Sequence, residues 1–334
     1  MSKLIKGLKG VVLAATLAGA GLAGYGYHQW QKLEQLTITP GEHPLFVVHR
    51  GETALQLTGR LSPGLPVLHR KLWLKLHPEL AAVRQGTYKL DDGTSLREAL
   101  NTFVKGDVYR LNVTLVEGLR LSDWRARLAE AEYLEHELDG VSEAQLAERL
   151  GVEHDKLEGL FLPETYSYTP GDSDYDVLER AYAHMQDFLN EAWEAREPNL
   201  PIDTPYEALI LASIIEKETG IAEERPMIAS VFINRLRRGM RLQTDPTVIY
   251  GMGEDYDGNI RKRDLRAHTP YNTYVIDGLP PTPIAMPSQE AIRAALNPAE
   301  SRYYYFVAMG EGRHHFSRTL REHNNAVRRY ILNR

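Results

Sequence analysis

The stretch that decides the fold of this chain runs from Tyr206 to Gly220 and reads YEALILASIIEKETG. Thr204 precedes it as a candidate N-cap, Pro205 suits the first helical position, and Gly220 suits the end of a helix. Residues 209–215 are apolar on almost every side of that helix. The pattern therefore predicts a helix that is buried on most of its surface within a domain.

The last turn of this helix carries two carboxylates, Glu216 and Glu218. Residues two apart are separated by about 200° around a helix, so these side chains cannot face one substrate bond. Glu218 continues the apolar column of Leu211, Ile214 and Ile215, whereas Glu216 continues a smaller and more polar column. Loss of solvation raises the pKa of a carboxyl, which suits a general acid working near neutral pH. Glu218 is therefore the better candidate acid; the alternative is that both glutamates are solvated residues at a helix end.

Short loops rich in amide, hydroxyl and aromatic side chains follow this helix. A second helix is predicted over 231–236 and ends by Gly239, and LQTDPTVIYG at 242–251 and YNTY at 271–274 come after it. Sugars present hydroxyl groups at their rim and C–H bonds on their faces, so such loops are typical of a carbohydrate cleft. Each loop taken alone also fits ordinary loop chemistry.

The region before residue 110 alternates short strands with helices. Strands are predicted at 46–48 and 86–90, and helices at 54–61, at 66–76 and from a cap at Ser95 onward. This small α+β pattern resembles a LysM-type glycan-binding module in degenerate form. The alternative is a structural spacer domain.

The larger part of the chain, residues 111–334, repeats this mixture of strands and helices. A strand is predicted at 112–116 and a helix over 123–131 with Ser122 as its cap. Further helices are predicted at 142–150 and 174–196, and a hairpin is predicted from 303–308 and 313–316. The fold class is therefore α+β in both parts.

The first thirty residues differ from the rest. Lys3, Lys6 and Lys9 precede an uncharged run from Gly10 to Gln31. This pattern predicts a cytoplasmic tail over 1–9 and a transmembrane anchor over 10–30, with everything after it outside the cytoplasm. A cleaved signal peptide is the competing interpretation, and a buried core helix is disfavoured because four glycines would destabilise it.

Composition excludes several kinds of chemistry. The 334 residues include no cysteine, which excludes disulfides, thiolate nucleophiles and Cys-ligated metals. The net charge of −6 argues against a generally basic nucleic-acid-binding protein.

His314, His315 and His323 lie near Glu311 and Glu322, but they form no H-E-x-x-H arrangement, and adjacent histidines in an extended segment point apart. No metal or cofactor is therefore predicted, and no nucleophile elbow or zinc pattern points to a protease or amidase.

Four segments in order carry a family resemblance. They are ASIIEKET at 212–219, SVFINRL at 230–236, LQTDPTVIYG at 242–251, and YNTY at 271–274 with GLPP at 278–281. Together they resemble the YceG-like family of endolytic murein transglycosylases, and the resemblance extends from the anchor to the C-terminus. In that family the second glutamate of the Glu-Lys-Glu segment is the catalytic acid, which implies Glu218 here. A helix-borne glutamate followed by a Gln-containing loop and a Tyr-Asn pair is more distantly similar to goose-type lysozymes and soluble lytic transglycosylases.

The resemblance implies a catalytic domain with a lysozyme-like catalytic helix that cuts the MurNAc–GlcNAc β-1,4 bond of peptidoglycan and leaves 1,6-anhydroMurNAc ends. It also implies an inner-membrane protein with a periplasmic catalytic domain, which associates with peptidoglycan synthases (penicillin-binding proteins) and terminates strand elongation. The side chains expected to bind substrate are Gln243, Thr244, Asp245, Tyr250, Tyr271, Asn272, Asn234 and Glu164. The alternative function is a non-catalytic, membrane-anchored cell-wall-binding or scaffold protein.

Overall fold

A computed structural model describes residues 16–21, 24–28, 30–31, 36–38, 44–154 and 156–332. The chain divides into two compact units, Met1–Leu111 and Asn112–Arg334.

The N-terminal segment is helical wherever the structure describes it between residues 16 and 31. The predicted cytoplasmic tail 1–9 lies outside the described residues, and so does part of the predicted anchor 10–30. Within the described residues, no helix combines the length and the apolar character needed to cross a bilayer.

The first unit is built on one antiparallel strand pair with helices against it. Strand β1 (Leu45–Val48) pairs with β2 (Gly86–Lys89), and Leu45 lies opposite Lys89. The helices are α1 (Ala54–Leu61), α2 (Val67–Leu76) and α3 (Leu96–Lys105).

Capping and apolar burial explain the helices of the first unit. Thr53 caps α1 and Ser95 caps α3, each with a reciprocal glutamine or glutamate three residues later. The core of the unit consists of large buried side chains from all of these elements, among them Leu57, Trp73, Tyr88, Leu100 and Phe103.

The second unit contains the remaining elements. Its strands are β3 (Leu111–Leu115), β4 (Glu164–Tyr168), β5 (Tyr305–Gly310) and β6 (Arg313–Ser317). Its helices are α4 (Leu121–Ala129), α5 (Glu143–Leu150), α6 (Asp174–Glu194), α7 (Pro205–Glu218), α8 (Arg225–Arg237), α9 (Asp245–Met252), α10 (Gln289–Leu296) and α11 (Leu320–Val327). β3 pairs with β4, and β5 pairs with β6 in an antiparallel hairpin. The mixed α+β class is confirmed.

Helix α7 lies at the centre of the second unit. All residues from Ala208 to Ile215 are buried, as the apolar pattern predicts. Helices α6, α8, α9 and α10 pack against it. The buried centre leaves only the two ends of α7 near solvent, so the C-terminal turn with its two glutamates lies where the core meets the surface.

Two helices start earlier than the sequence suggests. Ser122 is not the cap of α4, because the Asp123 carboxylate accepts the backbone N–H of Arg120 at 2.9 Å and the helix begins at Leu121. Helix α8 begins at Arg225, where Pro226 occupies the first turn, and extends beyond the predicted 231–236 at both ends.

Candidate active site

The carboxyl group of Glu218 lies at the C-terminal end of α7 and is partly buried. The Thr244 hydroxyl donates a hydrogen bond to its Oε1 atom. Burial raises the pKa of Glu218 to about 7, and the neighbouring Asp245 carboxylate also raises this pKa. The Thr244 hydrogen bond and electrostatic interactions with His314 and Arg235 oppose that shift. A substantial fraction of Glu218 is therefore protonated at neutral pH, which is the state a general acid requires.

Glu216, two residues earlier, has a different environment. Its Oε1 accepts a hydrogen bond from Arg225 Nη2 at 3.2 Å, and its Oε2 accepts the backbone N–H of Ser288 at 3.0 Å and the Ser288 hydroxyl. Its side chain is only 5% exposed. Ser288 is the N-cap of α10, so Glu216 joins the end of α7 to the start of α10 and α8. The two glutamates bind different partners, as their separation around the helix predicts.

Glu218 opens onto a cleft of about 390 Å³. The other lining residues come from α8, the loop before α9 and the first residue of α9, Tyr274, the β5–β6 hairpin and α11. They are Arg235, Leu242, Gln243, Thr244, Asp245, Tyr274, Tyr305, Phe306, Val307, Ala308, His314, Leu320 and His323. The lining combines hydroxyl, amide and carboxylate groups with aromatic faces, which is suited to a polyhydroxylated ligand.

The loop before α9 is held in place by residues 273 and 274. Gln243 adopts a φ of 51°, and its N–H donates to the Thr273 carbonyl at 3.1 Å. The N–H of Thr244 donates to the Thr273 hydroxyl at 3.0 Å, and the Tyr274 hydroxyl donates to Asp245 Oδ1 at 2.6 Å. Burial raises the pKa of Tyr274, so this phenol stays a neutral donor. The Thr244 hydroxyl, which contacts Glu218, is thus held in position by the contacts of its own N–H with Thr273 and of the next residue, Asp245, with Tyr274.

Arg235 is the charged residue that connects the cleft walls. Its Nε donates to the Tyr304 carbonyl at 2.6 Å and its Nη1 donates to the Leu242 carbonyl at 2.7 Å. These bonds connect α8 to the hairpin and to the loop before α9. The guanidinium is buried, and its positive charge favours the carboxylate form of Glu218.

Two histidines complete the cleft. His314 Nδ1 lies 2.8 Å from Glu224 Oε2, and the ring of His323 stacks on Tyr305 with 5.3 Å between centroids. Burial lowers the pKa of His323, which keeps this ring neutral. Its buried Nδ1 has no hydrogen-bond partner within the described residues. Across the same part of the chain, no three His, Cys, Asp or Glu side chains are arranged to hold a metal ion.

The structure brings some of the predicted binding residues to this cleft and not others. Gln243, Thr244 and Asp245 line it with Glu218. Tyr250 and Tyr271 instead line a neighbouring cavity of the same unit.

Asn272, Asn234 and Glu164 lie away from the Glu218 cleft. The Asn272 amide is buried, donating to the carbonyls of Asp264 and Ala267 and accepting the N–H of Tyr274, so it shapes the loop. The Asn234 amide donates to the carbonyls of Ser301 and Tyr303, both at 3.1 Å. Glu164 is the exposed first residue of β4, and its Oε2 lies 3.2 Å from His184 Nδ1.

The binding residues predicted from sequence do not include Arg235, Tyr274 or the hairpin residues that line the cleft. An arginine within the apolar run of α8 is an available signal for the first, because an arginine is rarely buried unless its charge and donors are satisfied. The hairpin residues carry no comparable signal, since only the tertiary fold brings them to Glu218.

A single carboxyl that is protonated near neutral pH and opens onto a polar cleft defines an enzyme site of the general acid–base class. The comparisons with known proteins narrow this class. The chain belongs to the YceG-like family, whose family model matches residues 46–329. The resemblance seen in the sequence is thus confirmed.

The Bacillus and Streptococcus relatives support the same family. The chain is 32% identical over 264 residues to a Bacillus subtilis protein named endolytic murein transglycosylase, and the match covers 74% of this chain and 72% of that protein. A protein of the same name from Streptococcus pneumoniae D39 is 32% identical over 182 residues, covering 53% of this chain but only 32% of the longer pneumococcal protein. The crystal structure of a YceG-like protein from Listeria monocytogenes is 26% identical, with a TM-score of 0.49 and coverage of 84% of this chain and 98% of that one.

Proposed function

We propose that this protein is an endolytic murein transglycosylase that cuts the glycan strands of peptidoglycan, with Glu218 as its single acid and base. The observation that carries the proposal is the Glu218 carboxyl, with a pKa of about 7, at the polar cleft of a YceG-like chain. The names of the Bacillus and pneumococcal relatives support this substrate class.

The proposed reaction uses one carboxyl twice. Protonated Glu218 donates its proton to the glycosidic oxygen between MurNAc and GlcNAc as the bond from that oxygen to the MurNAc anomeric carbon breaks. The Glu218 carboxylate then takes the proton of the MurNAc C6 hydroxyl, whose oxygen bonds to the anomeric carbon. The products are a 1,6-anhydroMurNAc end and a free GlcNAc hydroxyl, and the enzyme regains its proton.

An intramolecular nucleophile explains why one carboxyl suffices. Glycosidases that use water need a second carboxylate as base or nucleophile. The other carboxylate of the cleft, Asp245, accepts the Tyr274 hydroxyl at 2.6 Å, which suits it to holding the loop and stabilising positive charge on the sugar. The Gln243 amide and Thr244 hydroxyl supply further polar groups beside Glu218. No metal or cofactor takes part.

The cellular setting is also a proposal. Lys3, Lys6 and Lys9 before the uncharged run to Gln31 support a single-pass anchor in the inner membrane with the catalytic unit in the periplasm. The first unit serves as a LysM-like glycan-binding element. A membrane-held endolytic enzyme meets strands as synthases extend them, so cleavage terminates nascent strands beside penicillin-binding proteins.

The test is digestion of purified uncrosslinked glycan strands by the full chain, with products analysed by mass spectrometry. Internal fragments with anhydro ends are expected from the wild type and not from Glu218→Gln. Fragments heavier by one water would instead mean that Asp245 activates water, and the same trace from both proteins would refute the role of Glu218. Binding of strands with no fragments would favour the non-catalytic scaffold.

A further inference from the structure

A second cavity, of about 620 Å³, lies in the catalytic unit beside helix α9. Its lining includes Arg120, Arg125, Lys156, Tyr250 and Tyr271 together with two carboxyl groups, Glu143 and the buried Glu158. The acid–base mechanism uses none of these side chains.

This cavity shares two structural elements with the Glu218 cleft. Helix α9 begins at Asp245, which lines the cleft, and presents Tyr250 to the second cavity about 7.5 Å further along its axis. The loop that follows contributes Tyr271 to the second cavity and Tyr274 to the cleft. A polymer bound at Glu218 therefore has its neighbouring substituents within reach of the second cavity.

Positive charge predominates in the second cavity. The guanidinium of Arg120 lies 4.9 Å from the centre of the Tyr250 ring, and Arg125 donates to the carbonyls of Leu138 and Val141. Within the described residues, neither arginine forms an ion pair with a carboxylate, whereas Lys156 pairs with Glu143 at 3.1 Å.

Glu158 offsets this charge only in part. One of its oxygens accepts the N–H of Leu121 at 3.0 Å, and the other accepts the Tyr250 hydroxyl at 3.4 Å. Burial raises the pKa of Glu158 to about 7, so its carboxyl is partly neutral at physiological pH. Its geometry holds α4 against α9 and keeps Arg120 and Tyr250 at the cavity wall.

We propose that the second cavity binds the anionic peptide stem of the strand whose sugar chain lies at Glu218. Arginine pairs well with carboxylates because its N–H groups can bind both oxygens, and the tyrosine rings offer apolar faces to the stem. The inference rests on the proposed function and adds that the enzyme selects strands that still carry stems.

The test compares strands that carry stems with strands stripped of them by an amidase. Wild type should show a kcat/KM at least about ten-fold higher on stem-bearing strands, mainly through a lower KM. Arg120→Ala and Arg120→Gln, which both remove the guanidinium, should reduce this preference without reducing the rate on stripped strands. The matched control is Arg127→Ala, at an exposed position of α4, the helix that follows Arg120. This variant should keep the preference.

The outcomes separate the inference from the function on which it rests. Equal wild-type rates on both substrates would overturn the stem site and leave the transglycosylase intact. An unchanged preference in both cavity variants would also overturn it. A wild type that cuts neither substrate would refute the proposed function itself.

Helix α2 in the first unit has an exposed apolar row. Helix α2 exposes leucines at every fourth position, with exposed fractions of 66% for Leu68, 53% for Leu72 and 66% for Leu76. Spacing of four places these side chains in one row, while Trp73 faces the core. A groove of about 580 Å³ beside this row is also lined by Tyr25 and Trp30.

The charge of α2 identifies the surface that fits this row. Lys71 and Lys75 lie on the side of α2 next to this row, and the helix contains no acidic residue. Arg70 lies on the opposite side, where its Nη1 donates to the Leu55 carbonyl at 3.5 Å. An apolar row flanked by basic side chains is typical of helices that lie in the interface of an anionic membrane. The interfacial aromatics Tyr25 and Trp30 lie at the same groove.

We infer that α2 lies on the membrane surface with its leucine row in the lipid headgroup region, next to the proposed anchor. The chain has no cysteine, so single-cysteine variants can report this directly. Full-length Leu72→Cys and Leu76→Cys carry an environment-sensitive fluorophore in vesicles of phosphatidylethanolamine and phosphatidylglycerol that contain a lipid-borne quencher. Asp92→Cys, an exposed position of the same unit, is the control.

Both leucine positions should be quenched at least about three-fold more than position 92, and omission of phosphatidylglycerol should weaken the quenching. Equal quenching at all positions would overturn the inference. A blue shift that depends on protein concentration rather than on lipid would show self-association and overturn it as well. Protein that fails to float with the vesicles would refute both the anchor and the membrane contact of α2.

Discussion

The Thr244 hydroxyl donates a hydrogen bond to Glu218 Oε1, and this bond lowers the pKa of a carboxyl that burial raises. Thr244→Val keeps the shape of the side chain but removes this donor. We expect the pKa of Glu218 to rise by about one unit, so the loss of activity at alkaline pH should occur at higher pH. Thr244→Ser keeps the hydroxyl and should retain the wild-type pH profile of kcat/KM. Superimposable profiles for all three proteins would contradict this account of the carboxyl.

Activity should fall as pH rises through the pKa of Glu218. The first proton transfer requires the neutral acid, and the pKa of this group is about 7. A profile of kcat/KM for glycan cleavage should therefore be high below neutrality and decline with an apparent pKa near that value. An enzyme whose activity keeps increasing to pH 9 would need another acid.

Replacement of Glu218 by Gln should reduce the rate of strand cleavage by at least about 100-fold, because general acid catalysis is removed while the size of the side chain is kept. The measurement is the initial rate of anhydro-end formation on uncrosslinked strands. Circular dichroism and the melting temperature establish that the variant is folded.

Replacement of Glu216 by Gln should act on stability instead. This change breaks a buried ion pair with Arg225, at a cost of about 3 kcal/mol, and weakens the contact with the cap of α10. We expect a lower melting temperature, with rates per folded molecule that stay within about ten-fold of wild type at 20 °C. A loss of rate equal to that of Glu218→Gln, in a folded protein, would mean that Glu216 also takes part in proton transfer.

Two buried carboxyls should make the protein less stable as pH rises. The pKa values of Glu158 and Glu218 are each about 7 in the folded state, against 4.5 as the ordinary value. Between these pH values the folded state binds more protons than the unfolded state, so the free energy of unfolding decreases with increasing pH. Glu158→Gln removes one of these groups and should raise the melting temperature by about 5 °C at pH 8 with little gain at pH 4.5. An equal effect at both pH values would show that ionisation is not the cause.

Much of the catalytic helix follows from sequence alone. The apolar run of α7 predicts its burial, and the column that ends at Glu218 predicts a carboxyl with a raised pKa. Both are local properties of a helix of known periodicity. The amide and hydroxyl groups of residues 243–245 predict part of a carbohydrate cleft, and Gln243, Thr244 and Asp245 do line the cleft beside Glu218.

The residues that sequence reasoning misplaced share a physical reason. Asn272 and Asn234 have the amide groups expected of ligand-binding residues, yet those amides satisfy backbone groups inside the fold. A side chain's donors can serve either purpose, and only tertiary contacts decide which. Arg235 and the hairpin residues reach Glu218 through long-range packing, which no local pattern reports.

The hairpin wall has a consequence for biosynthesis. Tyr305 and the cleft residues after it follow Glu218 by 87 residues or more, so the carboxyl is synthesised before the wall that encloses it. A partly synthesised chain therefore carries its acid before the substrate-binding cleft can form.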